Sequence, residues 1–139
     1  MGRAPVNLLN YLLDTHIWLW WLAFPGKIVP SVVDVIRDPE TELWLSAISV
    51  WELFTLVRKR RYTANPCPEI WLEHAFEILP LREAPLTIGI IKIMNQVEMP
   101  HRDPADWLIA ATARHLNATL ITSDTQLAKT KGIKVLLNQ

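Results

Sequence analysis

The chain has 139 residues, half of them hydrophobic and a fifth charged, which is typical of a globular domain and excludes a disordered chain. Its 14 Lys and Arg residues equal its 14 Asp and Glu residues, so the net charge does not indicate a nucleic-acid partner. The length predicts one domain over residues 1–139. Because Cys67 is the single cysteine, an internal disulfide is excluded and a cytoplasmic location is expected.

The apolar stretch from Leu8 to Phe24 resembles a membrane span in its hydrophobicity. It contains Asp14 and His16, however, and a charge in the middle of a bilayer is costly. The "FPGK" that follows lacks the small-residue cleavage site of a signal peptide. We therefore predict a buried strand over 7–14, a helix over 16–24 that Pro25 stops, and no membrane partner.

The rest of the chain alternates between helical and extended patterns. In order, we predict a helix over 30–38, a strand over 42–47, helices over 48–61 and 69–79, a short strand over 79–82, helices over 85–97 and 103–117, a strand over 118–124, a short helix over 125–132 and a strand over 133–137. Strands that alternate with helices pair in parallel. The predicted fold class is therefore α/β, a three-layer α/β/α sandwich with a mainly parallel central sheet.

Four acidic residues lie where strands of this sheet end. Asp14 and Asp124 each follow a buried strand directly, Asp106 lies in the first turn of a helix, and Glu52 lies one turn into the helix after the second strand. Ligands of open parallel sheets bind outside the carboxyl ends of the strands. If neighbouring strands carry these acids, we expect the four carboxylates to converge on one pocket.

Carboxylates that converge in this way repel one another. At about 4 Å and an effective dielectric constant of about 20, each pair costs on the order of 4 kcal/mol. Such a cluster persists when it holds protons or a cation, and oxygen ligands without His or Cys favour Mg²⁺ or Mn²⁺. The sequence therefore indicates a site for a hard divalent cation.

Each acid also has a structural interpretation. Asp103 precedes a proline at the first helical position and meets the rule for a helix cap, and Asp124 could cap the short helix that follows it. Asp106 could complement a helix dipole, and Glu52 could lie on a solvated helix face. Asp14 has the weakest structural alternative, because an acid between two apolar runs has little local use.

The motifs "LLDTH", "SAISVWEL", "HRDPADWLIAATA" and "LITSD", in this order and spacing, resemble those of the PIN domain. More narrowly, they resemble the VapC-type toxins of bacterial toxin–antitoxin pairs, over about 8–136. The resemblance implies an α/β/α fold and a Mg²⁺- or Mn²⁺-dependent ribonuclease that hydrolyses RNA phosphodiester bonds. It places the family's catalytic and metal-binding acids on Asp14, Glu52, Asp106 and Asp124, with Asp103 as a further acid of the "RDPxD" branch.

The same resemblance assigns residues around the acids. Thr15 and Ser123 match small hydroxyl residues beside the site and are expected to contact substrate. His16 and His101 lie near it, with orientation or substrate contact favoured over catalysis. Trp107 is a departure, because many relatives of this branch carry Arg at this position, and its presence could weaken a phosphate contact.

Contacts to RNA are less clearly indicated. Arg58 begins the run "RKRR", which either complements a helix C-terminus on a solvated surface or tracks phosphates, and Arg102 is a second candidate. Tryptophans could stack on bases but are more often core or interface residues; they are Trp18, Trp20, Trp21, Trp44, Trp51, Trp71 and Trp107. Trp20 and Trp21 are adjacent, so one narrow stripe cannot bury both, and one is expected at a partner surface.

The resemblance also implies a cognate antitoxin, and the apolar bulk of the first helix favours a homodimer. An antitoxin segment is expected across a groove near Trp18, Trp21 or Trp51, with an Arg that reaches the acids. Four alternatives remain: a Mg²⁺-binding receiver-like signalling domain, a haloacid-dehalogenase-type phosphatase, an inactive PIN-like binding module, and an RNA-processing nuclease without an antitoxin. The receiver and the phosphatase each need a second acid beside Asp14, which this chain lacks.

Overall fold

The computed structural model of the chain describes residues 9–98 and 103–139. The strands are β1 (Leu9–Leu13), β2 (Thr41–Ser46), β3 (Arg82–Ala84), β4 (Thr119–Thr122) and β5 (Lys134–Leu137). The helices are α1 (Thr15–Ala23), α2 (Pro30–Arg37), α3 (Ala47–Arg58), α4 (Pro68–Ile78), α5 (Ile88–Met94), α6 (Pro104–His115) and α7 (Thr125–Ala128), with a 3₁₀ helix over Pro25–Lys27.

The five strands form one sheet in the order β3-β2-β1-β4-β5, and every pairing between neighbours is parallel. Successive side chains of β1 enter two different hydrophobic cores, because a strand alternates its faces. Leu13 packs in a core with Trp18 and Leu53, and Leu12 packs in another with Ile109. The predicted α/β sandwich is confirmed, with β1 as the central strand.

Polar residues at the carboxyl edge of this sheet begin several of the helices. The Asp103 side chain accepts a hydrogen bond from the Ala105 backbone amide at 3.0 Å, and Pro104 is the first helical residue of α6. Ser46 caps α3, and Asp124 caps α7 through the amides of the second and third helical residues. The predicted caps at Asp103 and Asp124 are confirmed, because a side-chain oxygen satisfies amides that a helix start leaves unpaired.

Four predicted elements have wrong boundaries. Helix α7 ends at Ala128 and not at residue 132. Helix α3 ends at Arg58 and does not reach Arg61, because Arg60 adopts the left-handed conformation with φ of 56° and the Arg61 amide then donates to the Leu56 carbonyl. Strand β3 begins at Arg82, where pairing with β2 starts, and not at residue 79. Helix α5 is shorter than predicted, because the Thr87 side chain caps it.

Tryptophan placement corrects one sequence-based expectation. Trp18 is fully buried, with its ring stacked on Phe76, so it cannot face a partner. Trp20 and Trp21 are half-buried, and cations lie over their rings: Lys27 over the first and Arg37 over the second. Trp51 is exposed.

Within residues 9–98 and 103–139, no helix has the length and apolar character that crossing a membrane requires.

Ile109→Ala is expected to lower the free energy of unfolding by about 2–5 kcal/mol, because it leaves a cavity where a side chain is fully buried. Ile78→Ala is the matched control, since this isoleucine is 69% exposed and its loss should cost within about 0.5 kcal/mol. Urea denaturation with a common slope measures both values. Equal destabilisation by the two variants would contradict the placement of the core.

Candidate active site

Asp14 lies at the end of the central strand and is only 6% exposed. Its Oδ1 accepts a hydrogen bond from the Thr15 amide at 2.8 Å, and its Oδ2 accepts one from the Thr122 hydroxyl at 2.6 Å. Burial is the larger influence and raises the pKa of Asp14, while the Thr122 bond opposes the rise. A carboxylate with both oxygens directed in this way is held in one orientation.

Glu52 lies on helix α3 and is hydrogen-bonded to Thr15, the residue that follows Asp14. The Thr15 hydroxyl, itself buried, donates to Glu52 Oε1 at 2.5 Å and lies 2.7 Å from the Ser49 hydroxyl. Ser49 precedes Glu52 by three residues and therefore shares its helix face. Burial raises the pKa of Glu52, and the negative charges of Asp14 and Asp103 add to this rise.

The Thr122 hydroxyl couples a third acid to Asp14. While donating to Asp14, it also accepts a hydrogen bond from the Asp124 backbone amide at 3.0 Å. One hydroxyl at the end of β4 therefore sets the positions of the acids on two neighbouring strands. The sequence analysis did not predict a role for Thr122. A threonine at the end of an apolar strand is common, and its role appears only when the adjacent strand is known to be followed by Asp14.

Asp106, in the first turn of α6, is close enough to the other acids to be repelled by all of them. Burial raises the pKa of Asp106 to about 7, and the next contributions come from the charges of Asp14, Asp103, Asp124 and Glu52, in that order. The structure thus brings together all five acids predicted from the sequence. Asp106 is the acid whose pKa is raised, after burial, by the charges of all four others.

Ser123 lies between Thr122 and Asp124, but its hydroxyl is hydrogen-bonded to Asn138, the residue directly after β5. It accepts from Asn138 Nδ2 at 2.9 Å and donates to the Asn138 carbonyl at 3.3 Å. The buried Asn138 side chain also bonds the Val29 amide and the Lys27 carbonyl. Asn138 therefore fixes the loop that carries Asp124, a role that no sequence motif indicated.

The remaining predicted residues lie around the acids or outside the described part. The exposed His16 is near enough to lower the pKa of Asp14 and of Glu52 as a minor influence. Arg58 is exposed at the end of α3, where its side chain donates a hydrogen bond to the Thr55 hydroxyl. The Trp107 indole donates to the Val97 carbonyl at 3.1 Å, which ties α6 to the segment after α5. His101 and Arg102 lie outside the described residues.

The donors at this edge are all oxygens, as a hard divalent cation requires. In the described ranges, no group of three or more His, Cys, Asp or Glu side chains lies close enough to enclose an ion. Mg²⁺ usually keeps several waters and binds through one or two carboxylates together with substrate phosphates.

Comparison with known proteins identifies the class of this fold and site. The family model of the PIN domain matches residues 11–133, and the chain therefore belongs to the PIN domain family. The chain is 33% identical over 125 residues to ribonuclease VapC22 of Mycobacterium tuberculosis, a match that covers 86% of this chain and 91% of that protein.

Solved structures agree with this assignment. A crystal structure of VapBC2 from Rickettsia felis, bound to a DNA fragment from their promoter, matches with a TM-score of 0.73 and 16% identity, over 94% of this chain and 99% of that chain. FitAcB from Neisseria gonorrhoeae matches with a TM-score of 0.64 and 27% identity, over 91% and 96%. The receiver and phosphatase alternatives are therefore set aside.

Asp106→Asn is expected to flatten the pH dependence of stability in metal-free protein. Between about pH 4 and pH 7, the folded chain holds a proton on Asp106 that the unfolded chain has released. Stability therefore falls as the pH rises through this window, and part of that slope should vanish in the variant. Thermal melts in EDTA measure it, with the exposed Asp34→Asn as the control that keeps the slope. An unchanged slope in Asp106→Asn would show that folding does not raise the pKa of Asp106.

Proposed function

We propose that this chain is a divalent-metal-dependent endoribonuclease and the toxin of a toxin–antitoxin pair. The observation that carries the proposal is the convergence of five acids: burial first, and then the negative charges of the other four acids, raise the pKa of Asp106 to about 7. Membership of the PIN domain family and the similarity to ribonuclease VapC22 support it. A cluster that repels itself this strongly is suited to a cation that neutralises it.

The ion would bind among Asp14, Asp106, Asp124 and Glu52, through one or two of these carboxylates together with waters, with Asp103 at the rim. When bound, Mg²⁺ or Mn²⁺ supplies a nucleophilic water at neutral pH and neutralises charge that develops on the phosphate. The chain's own contribution is orientation. Thr122 fixes Asp14, and Thr15 fixes Glu52, so that neither carboxylate has to reorganise during the reaction.

Asp14→Asn should lower RNA cleavage by at least about a hundredfold, the scale of losing a preorganised electrostatic group. The amide can still accept from Thr15, but its nitrogen cannot accept from Thr122. Cleavage by the wild type should need Mg²⁺ or Mn²⁺ and stop with EDTA, and the exposed Asp34→Asn should cleave normally. Gel analysis of labelled RNA measures the rates, and melting curves check the fold. Full activity in a folded Asp14→Asn would refute the assignment.

The structural relatives support an antitoxin partner, because several of them are described as VapBC or toxin–antitoxin complexes. We propose that a cognate antitoxin covers the acidic edge, where an Arg side chain would pair with the carboxylates as a charged donor. Purified antitoxin should therefore abolish cleavage in proportion to its binding. If the product of the adjacent gene neither bound this chain nor inhibited its cleavage of RNA, the alternative of an RNA-processing nuclease without an antitoxin would be favoured.

A homodimer is proposed on a second surface. Trp51, Leu86, Ile88 and Ile91 are exposed large hydrophobic residues on α3, α5 and the loop before α5, and the first two line an apolar cavity of about 380 Å³. Exposed apolar patches of this kind usually mark interfaces between proteins. We propose that a second copy of the chain covers this patch.

Ile88→Glu should convert the dimer to a monomer, because it places a charge in an apolar interface. Ile78→Glu is the matched control, since Ile78 is comparably exposed but lies on α4, which carries none of the patch residues. Light scattering at micromolar concentration should give the wild type and the control twice the chain mass of 16.0 kDa. A wild type that runs as a monomer would rule the dimer out.

A further inference from the structure

One face of helix α1 carries aromatic rings from the acids to its far end. His16, Trp20 and Phe24 are spaced four residues apart, so they lie on one side of the helix. His16 is exposed next to Asp14, with its ring centroid 6.0 Å from that of Trp20. Phe24, the residue directly after the helix, is 55% exposed.

A single lysine covers the second half of this row. The Lys27 ammonium lies 5.0 Å from the ring centroid of Trp20 and 5.6 Å from that of Phe24. Cations over aromatic faces are attracted by the ring, and here the charge stays at the surface. The outer face of α1 therefore combines flat apolar surfaces with a positive charge.

The row of rings ends at a cationic cleft. A cavity of about 290 Å³ opens between the ends of α1 and α3, and its lining contains no acid: Ala23, Phe24, Arg60, Arg61, Tyr62 and Thr63. In the described part of the chain, none of the four cations over 58–61 forms an ion pair with a carboxylate. These charges are therefore available to an anionic ligand.

The backbone of Arg60 adds an independent observation. Its φ of 56° is the conformation that ends many helices, and glycine is the usual residue there. A side chain with a Cβ is strained in this conformation. Arginine at this position keeps a positive charge at the mouth of the cleft at the expense of local backbone energy.

We propose that the outer face of α1 and the cleft at its end form a track for single-stranded RNA leaving the catalytic acids. The proposal rests on the proposed ribonuclease function. Bases would stack on His16, Trp20 and Phe24, and phosphates would meet Lys27 and the arginines at 60 and 61. Aromatic platforms beside cationic grooves are how proteins bind single strands without sequence preference.

The dimensions suit such a ligand. His16 and Phe24 are separated by about 12 Å along the helix axis, at about 1.5 Å per residue. At a stacked spacing of about 3.4 Å per nucleotide, this length corresponds to about four nucleotides. The acidic centre repels RNA phosphates, and the net charge of the chain is zero, so the chain as a whole does not attract RNA. The local positive charges of Lys27, Arg60 and Arg61 offset this repulsion.

Binding of a fluorescent single-stranded RNA of about twelve nucleotides, followed by anisotropy in EDTA, tests the track without cleavage. Phe24→Leu keeps an apolar side chain but removes the ring, and should weaken binding about fivefold or more. Arg60→Gln with Arg61→Gln should reduce the slope of log affinity against log salt by about 1.4, because each contact to a single strand contributes about 0.7. With Mn²⁺ present, both should raise KM for RNA and leave kcat unchanged.

Matched controls separate these effects from general surface changes. Ile78→Ala removes an exposed apolar residue on α4, and Lys129→Gln with Lys131→Gln removes two exposed charges near β5. Both should bind RNA like the wild type. The proposal would be overturned if the Phe24 and Arg60–Arg61 variants bound single-stranded RNA with the affinity and the salt dependence of the wild type. It would also be overturned if these variants bound RNA normally and lost only the binding of a protein partner. A wild type that cleaves no RNA with any divalent metal would instead refute the proposed function.

Discussion

A buried carboxylate at the end of the central strand is the constraint on which the site depends. Asp14 is removed from water by the two cores that meet at β1, and it is oriented by the Thr122 hydroxyl of the adjacent strand. Because that hydroxyl also accepts from the Asp124 amide, the two strand ends are fixed relative to each other. The parallel order of the sheet is therefore what turns acids distant in sequence into one cluster.

Sequence patterns predicted the architecture, and they predicted that the acids lie at one edge of the sheet, because both follow local rules. Apolar runs marked the strands, proline and acid pairs marked helix starts, and acids directly after strands share an edge in any parallel sheet. The boundaries of α3 and β3 could not be predicted in the same way. The first depends on one residue in a left-handed conformation, and the second on where β2 offers a pairing partner.

The supporting polar residues were harder to predict than the acids. Ser49 carried a usable signal, since it lies one helical turn before Glu52. Thr122 and Asn138 carried none, because each acts on a residue more than a dozen positions away or on another strand. Asn138 bonds to residues 27 and 29 as well as to Ser123, so its role exists only once the chain has folded.

The left-handed Arg60 has a consequence for how this protein would respond to selection in the laboratory. Glycine at that position would relieve the strain of a Cβ in a conformation that costs roughly 1–2 kcal/mol for other residues. A library screened only for heat resistance should therefore accumulate glycine there, whereas a library screened for binding of single-stranded RNA should retain arginine under the proposed track. Thermal stability and the proposed RNA contact would then be in conflict at a single backbone angle.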